Sequence, residues 1–168
     1  TRWVSAFIVN QQEYGACEKK EQMRSQYGSD TGKGAGTSSL QLLRREGLLG
    51  TIVEAMNQFR LFKKKVTEAE IKGFFCCRLE SPLVARNNRE LAFFFDKLCE
   101  NGLISKQWQD VMSTHRLLLS STGKNMKASD LSSAACKARL SDRSIFANIK
   151  SKVKEIAEWA KSDGKERI

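Results

Sequence analysis

Residues 87–102, NNRELAFFFDKLCENG, decide the fold class. Asn87 or Asn88 opens a helix here, because a short amide side chain can accept from the unsatisfied backbone N–H groups of a first turn. Leu91, Phe94, Phe95 and Leu98 then recur at helical spacing and give one apolar face to a helix from about Arg89 to Glu100. Asn101-Gly102 supplies the left-handed stop. Phe93 points away from that face. A helix apolar on more than one side is either central to a core or part of an interface.

The sequence on both sides repeats the helical pattern. Upstream, Leu48, Leu49, Ile52, Met56 and Phe59 share one face of a helix predicted from Leu48 to Lys65. Its end would hold Lys63-Lys64-Lys65, where cations suit the negative pole of the helix dipole. Thr67 and Glu70 form a capping-box signature ahead of Ile71, Phe74 and Phe75, and that helix must end before Pro82. Downstream, Ser105 caps a helix from Lys106 to Ser113 with Trp108, Val111 and Met112 inward. Leu117-Leu118-Leu119 is a small strand or a helix end, and 121–125 is a turn. Ser129 or Asp130 caps a helix to Leu140 whose narrow face is Leu131, Ala134, Ala135 and Ala138. Ser141 or Asp142 caps a last helix to Lys161, with a stripe of Ile145, Ile149, Val153, Ile156 and Ala160 and with Trp159 at its edge. Pro82 is the only proline to interrupt any of this. The expected fold is therefore all-α or nearly so, a helical bundle with a short strand pair near Leu117 to Lys127.

Residues 28–39 hold four glycines among small polar residues and separate an N-terminal helix or arm (1–27) from the helical domain (40–162). Within that domain Ser38 or Ser39 caps a first helix near Leu40, which Gly47 breaks or bends, and residues 163–168 form a tail. The glycines do not make a phosphate loop. Gly28 and Gly32 are separated by three residues instead of four, Lys33 is followed by Gly34, and no apolar strand precedes them.

The chain is basic, with a formal net charge of +10. Between Val111 and Lys154 nine Lys and Arg residues face only Asp130 and Asp142, a local net of +7. A clustered positive field concentrates polyanions, of which nucleic acid is the commonest, whereas scattered lysines only keep a protein in solution. Arg143, Lys150, Lys154 and Lys161 line one flank of the last helix, a stripe that is either a solvated face or a track for phosphates. The five cysteines are odd in number and irregularly spaced, so free thiols in a reducing cytoplasm are the simplest account. No run approaches the ~18 apolar residues that a membrane span needs. No catalytic constellation emerges. His115 is the sole histidine, Cys76 and Cys77 lack an activating partner, and scattered Cys99, Cys136 and His115 do not have zinc-ligand spacing. No cofactor or metal is expected.

Three segments in residues 87–154 carry a resemblance: NNRELAFFFDKLCENGLISKQW, LLLSSTGKNMKASDLSSA and KARLSDRSIFANIKSKVKEI. Together they resemble small helical proteins of Bacteroides-type conjugative and mobilisable elements, including the C-terminal region of the tetracycline-responsive excision regulators. The resemblance implies a winged-helix-like DNA-binding part and a regulatory or accessory role. On that expectation Lys137 and Arg139 approach DNA from the second helix of the pair 106–113 and 129–140, and Arg143, Lys150 and Lys154 hold phosphates. Two other readings stand beside it. One is a helical module that binds an acidic protein or self-assembles through the apolar side marked by Phe93. The other is a small single-strand-binding nucleoprotein, which needs aromatics among its basic residues, whereas Phe146 is the only one between Val111 and Lys154.

Overall fold

The computed structural model describes residues 47–162. The expectations for the N-terminal arm, the glycine segment, the helix near Leu40 and the C-terminal tail lie outside those residues. In chain order the described elements are α1 (Leu48–Gln58), α2 (Glu68–Phe75), β1 (Leu83–Val84), α3 (Asn88–Glu100), α4 (Trp108–Thr114), β2 (Leu118–Leu119), α5 (Ala128–Arg139) and α6 (Ser144–Ser162). The fold is mostly helical with a short strand pair, as the sequence leads one to expect.

Helix α3 is the centre of the bundle and packs on both α5 and α6. Asn87 caps it, with Oδ1 accepting from the N–H of Arg89 at 3.0 Å. Every residue from Leu91 to Leu98 is buried. Phe95 stacks between Phe74 of α2 at 5.6 Å and Trp108 of α4 at 5.7 Å. On the other side Phe93 meets Phe146 of α6 edge-on at 5.1 Å. Phe93 is only 5% exposed, so the apolar surface expected around it is core. Of the two roles open to a helix apolar all round, this one has the central role.

Several helices end by a shared device. After α1, Leu61 N–H donates to Met56 O at 3.1 Å and Arg60 N–H to Asn57 O at 3.2 Å. The same pair of bonds closes α2 at Cys77 and Arg78, α3 at Gly102 and Leu103, and α4 at Arg116 and Leu117. The geometry requires a left-handed residue, and Gly102 supplies one with φ 73°. Arg60 (φ 51°), Cys77 (φ 56°) and Arg116 (φ 50°) adopt it without being glycine. Helix α1 therefore stops at Gln58, with no basic residue in its last turn. Lys63, Lys64 and Lys65 lie beyond it, so the helix dipole does not explain them. The capping box at Thr67 and Glu70 forms as expected, with Glu70 accepting from Thr67 N–H at 3.0 Å. Helix α5 begins at Ala128, so Ser129 and Asp130, expected as its cap, lie inside its first turn, and α6 begins at Ser144, beyond the Ser141 or Asp142 expected to cap it.

Of the apolar triplet Leu117–Leu119, Leu118 and Leu119 form a strand. Its partner is β1, paired in parallel with Leu83 opposite Leu118 and Val84 opposite Leu119. Phe62 pairs with Ala85 on one side, and Leu119 pairs with Asn125 on the other. These pairings make a ribbon four segments wide at one end of the bundle. Both chain segments that carry unexplained cations, 60–65 and 120–127, belong to its edges.

Candidate nucleic-acid interface

The turn after β2 is tightly closed. Ser120 N–H donates to Lys124 O at 2.7 Å, Gly123 N–H donates to Ser120 O at 2.9 Å, and Gly123 sits at φ 82°. Ser121 N–H donates to Asn88 Oδ1 at 2.9 Å, which ties the turn to the start of α3. Met126 is buried beneath it, and its N–H donates to Leu118 O at 3.2 Å. Helix α5 then begins, with Asp130 accepting from Lys127 N–H at 2.9 Å. Backbone bonds and buried anchors thus hold Lys124 and Lys127 in place.

These pieces enclose an open cleft of about 540 Å³. Arg89, Lys124, Lys127 and Lys137 line it, with Asp130 the one acidic side chain among the described residues of its walls. Asp130 is already engaged at the start of α5. All four cations are exposed, and among the described residues none has an ion-pair partner. The beginnings of α3 and α5 both face the cleft, and helix N-termini carry partial positive charge. Among the described residues no aromatic side chain lines it. The arrangement suits an anion held by charge and hydrogen bonds, and offers no platform for a base.

Of the expected contact residues, Lys137 alone lies in this cleft. Arg139 is used elsewhere. Its guanidinium makes a two-pronged bond to the carboxylate of Asp96 on α3, with Nε donating to Oδ2 at 3.0 Å and Nη2 donating to Oδ1. Donating to the Asp96 carboxylate raises the pKa of Arg139 above its ordinary value. Asp96 is 6% exposed and Lys97 beside it 8%, and Lys97 in turn reaches Glu100 at 2.7 Å. Arg139 belongs to the support of α5 on α3. Arg143 bonds Glu90 of α3 at 3.2 Å and lies over Phe146 at 5.8 Å. Lys154 pairs loosely with Glu158 at 3.7 Å on an exposed face. Lys150 is exposed on α6 and has no ion-pair partner among the described residues. The stripe on α6 is therefore real as a surface, but it lies outside the cleft and two of its members are paired.

Sequence reasoning missed Arg89, Lys124 and Lys127 as a group. Their signal was local: one basic residue beside an asparagine cap, one in a turn, and one just before a helix start. Such positions are fixed by backbone, whereas a helical stripe only shares a direction. Among the other residues weighed, His115 is exposed at the end of α4. Of the cysteines expected to be free thiols, Cys76, Cys77 and Cys99 form no disulfide. No helix among the described residues is long and apolar enough to cross a membrane. Comparison with family models, curated proteins and solved structures finds no match.

Proposed function

We propose that this chain is a basic nucleic-acid-binding protein of accessory or regulatory type, which grips duplex DNA by its phosphates at the cleft between α3, the 120–124 turn and α5. The observation that carries the reading is the convergence on one open cleft of four cations, Arg89, Lys124, Lys127 and Lys137, that have no ion-pair partner among the described residues. Charge of one sign held by rigid backbone is what a phosphate chain follows, and it positions a protein without reading bases. In this reading the 120–124 turn acts as a wing with Lys124 at its end, and α5 presents Lys137 beside it. Lys150 on α6 extends the contact. Arg139 leaves the set of base-reading residues, because Asp96 already occupies its fork.

The lack of aromatic side chains among the described residues of the cleft favours a duplex over single strands, whose binding relies on base stacking. The protein-interaction reading loses its motive with Phe93 buried. A cytoplasmic location and a role in a mobile element belong to the same proposal. The test is a titration with a short random duplex, a single strand of equal length and polyglutamate, each at low and moderate salt. Duplex binding should be tightest and fall steeply with salt. Equal affinity for polyglutamate would replace the proposal with general polyanion binding.

A further inference from the structure

A second basic hollow, of about 340 Å³, opens at the opposite edge of the ribbon. Among the described residues its walls are Asn57, Arg60, Phe62, Lys63, Lys64, Lys65 and Arg86, none of them acidic. Lys64 reaches away to Glu70. Arg60, Lys63, Lys65 and Arg86 are exposed and, among the described residues, have no ion-pair partner. Like charges gathered in one concavity repel, so the cluster works against the fold unless an anion joins it.

The loop that presents these cations is tightly held. The Asn57 side chain takes the place of a backbone strand, with Nδ2 donating to Val66 O at 2.8 Å and Oδ1 accepting from Val66 N–H at 2.9 Å. Leu61, Phe62 and Val66 are buried beneath the loop. Lys63 N–H donates to Val84 O at 3.0 Å and Arg86 N–H donates to Leu61 O at 2.9 Å. Arg60 sits in the left-handed region that favours glycine, a strain that persists only where the surroundings or a function maintain it.

The hollow also has a fixed relation to the first cleft. The ribbon runs from Phe62 to Ala85, to Leu119 and to Asn125. Three interstrand steps place its two edges roughly 14 Å apart. Arg86 lines one depression, and Asn88 and Arg89 line the other.

We propose that the hollow of Arg60, Lys63, Lys65 and Arg86 is a second phosphate-binding site, which takes a phosphodiester of the nucleic acid held at the first cleft. The proposal rests on the reading above for its ligand and on its own residues for the site. Its test is duplex binding as a function of salt for the full chain and four variants. Lys63→Ala/Lys65→Ala/Arg86→Ala should lower the salt slope by up to about 2.7, since each lost phosphate contact removes about 0.9. Affinity should then fall more than tenfold, and by no more than ~500-fold, at 0.1 M salt. Arg60→Gly should lose up to about eightfold in affinity while its Tm holds or rises, because glycine accepts the left-handed backbone. A loss of binding in that variant cannot come from unfolding. Lys64→Ala should bind as the parent does. Lys124→Ala/Lys137→Ala reports separately on the first cleft, so either site can fail alone. A triple variant that binds duplex within twofold of the parent overturns the proposal. Inorganic tripolyphosphate supplies the other arm. If it shifts the amide resonances of Lys63, Lys65 and Arg86 while the triple variant keeps its duplex affinity, the occupant is a free oligophosphate, and the nucleic-acid assignment is overturned.

Discussion

Replacing Arg139 with Ala should unfold the protein more readily before it changes any contact with DNA. The guanidinium is the partner of the Asp96 carboxylate, whose side chain is 9% exposed. Removing one member of a fully buried ion pair costs about 3–5 kcal/mol, because the other charge stays behind without compensation. Here the arginine side chain is 41% exposed, so water screens part of the attraction and can enter the gap. Lys97 also lies 3.8 Å from Asp96 and partly offsets the loss. The expected destabilisation is therefore about 2–3 kcal/mol. For a chain of this length that lowers Tm by roughly 5–10 °C. Asp96→Asn should cost less than Arg139→Ala, because the amide still accepts from the guanidinium and the orphaned charge is then the more exposed one. The double variant Asp96→Asn/Arg139→Ala should be more stable than the sum of the two single losses predicts. Urea unfolding of the four proteins closes the cycle. An Arg139→Ala variant with parental stability, or additive losses, would refute the assignment of Arg139 to the fold and return it to the DNA-contact set.

Three further outcomes follow from the same structure. Phe93→Ala should cost about 3–5 kcal/mol in chemical denaturation, the range for a buried aromatic, and a loss under 1 kcal/mol would restore Phe93 to a surface role. Glu70 is held below the ordinary carboxylate value of 4.5, first by its bond to the Lys64 ammonium and then by the Thr67 backbone N–H. Its contribution is complete above the unfolded pKa and is lost as pH falls through the lower folded one. The stability gap between parent and Glu70→Gln should thus be about 1 kcal/mol at pH 7 and shrink at pH 3, and a constant gap would contradict the capping role. Gly123→Ala should destabilise by about 1 kcal/mol, although nothing lies within 4 Å of the added methyl, because φ 82° is the obstacle; a neutral result would show that the turn relaxes.

Helix existence was legible where the apolar spacing was long and the caps were strong. Asn87, Thr67 with Glu70, and Gly102 act as their local chemistry leads one to expect, and the stripe from Ile149 to Ala160 is buried. The end of α1 was not legible, since a left-handed arginine looks like any other helical residue in sequence. That one turn decides the meaning of Lys63–Lys65, which changes from a helix end to the wall of a hollow. The parallel pairing of β1 with β2 joins segments more than thirty residues apart, and no local pattern specifies it. The site was legible in sign and region but poorly in its members. A run of basic residues shows where positive charge accumulates. Which cations remain open to a ligand depends on long-range partners such as Asp96, 43 residues from Arg139.

The central claim is that cations with no ion-pair partner among the described residues, held by backbone at the first cleft, grip the phosphates of duplex DNA. The most direct measurement is the salt dependence of duplex affinity for the parent and for Lys124→Ala/Lys127→Ala/Lys137→Ala, with helix content checked by circular dichroism. If all three side chains contact phosphates, the slope of log affinity against log salt falls by about 2.7, and affinity drops for every duplex alike. Equal slopes and equal affinities in a folded variant would contradict the claim and leave these lysines as a solvated surface.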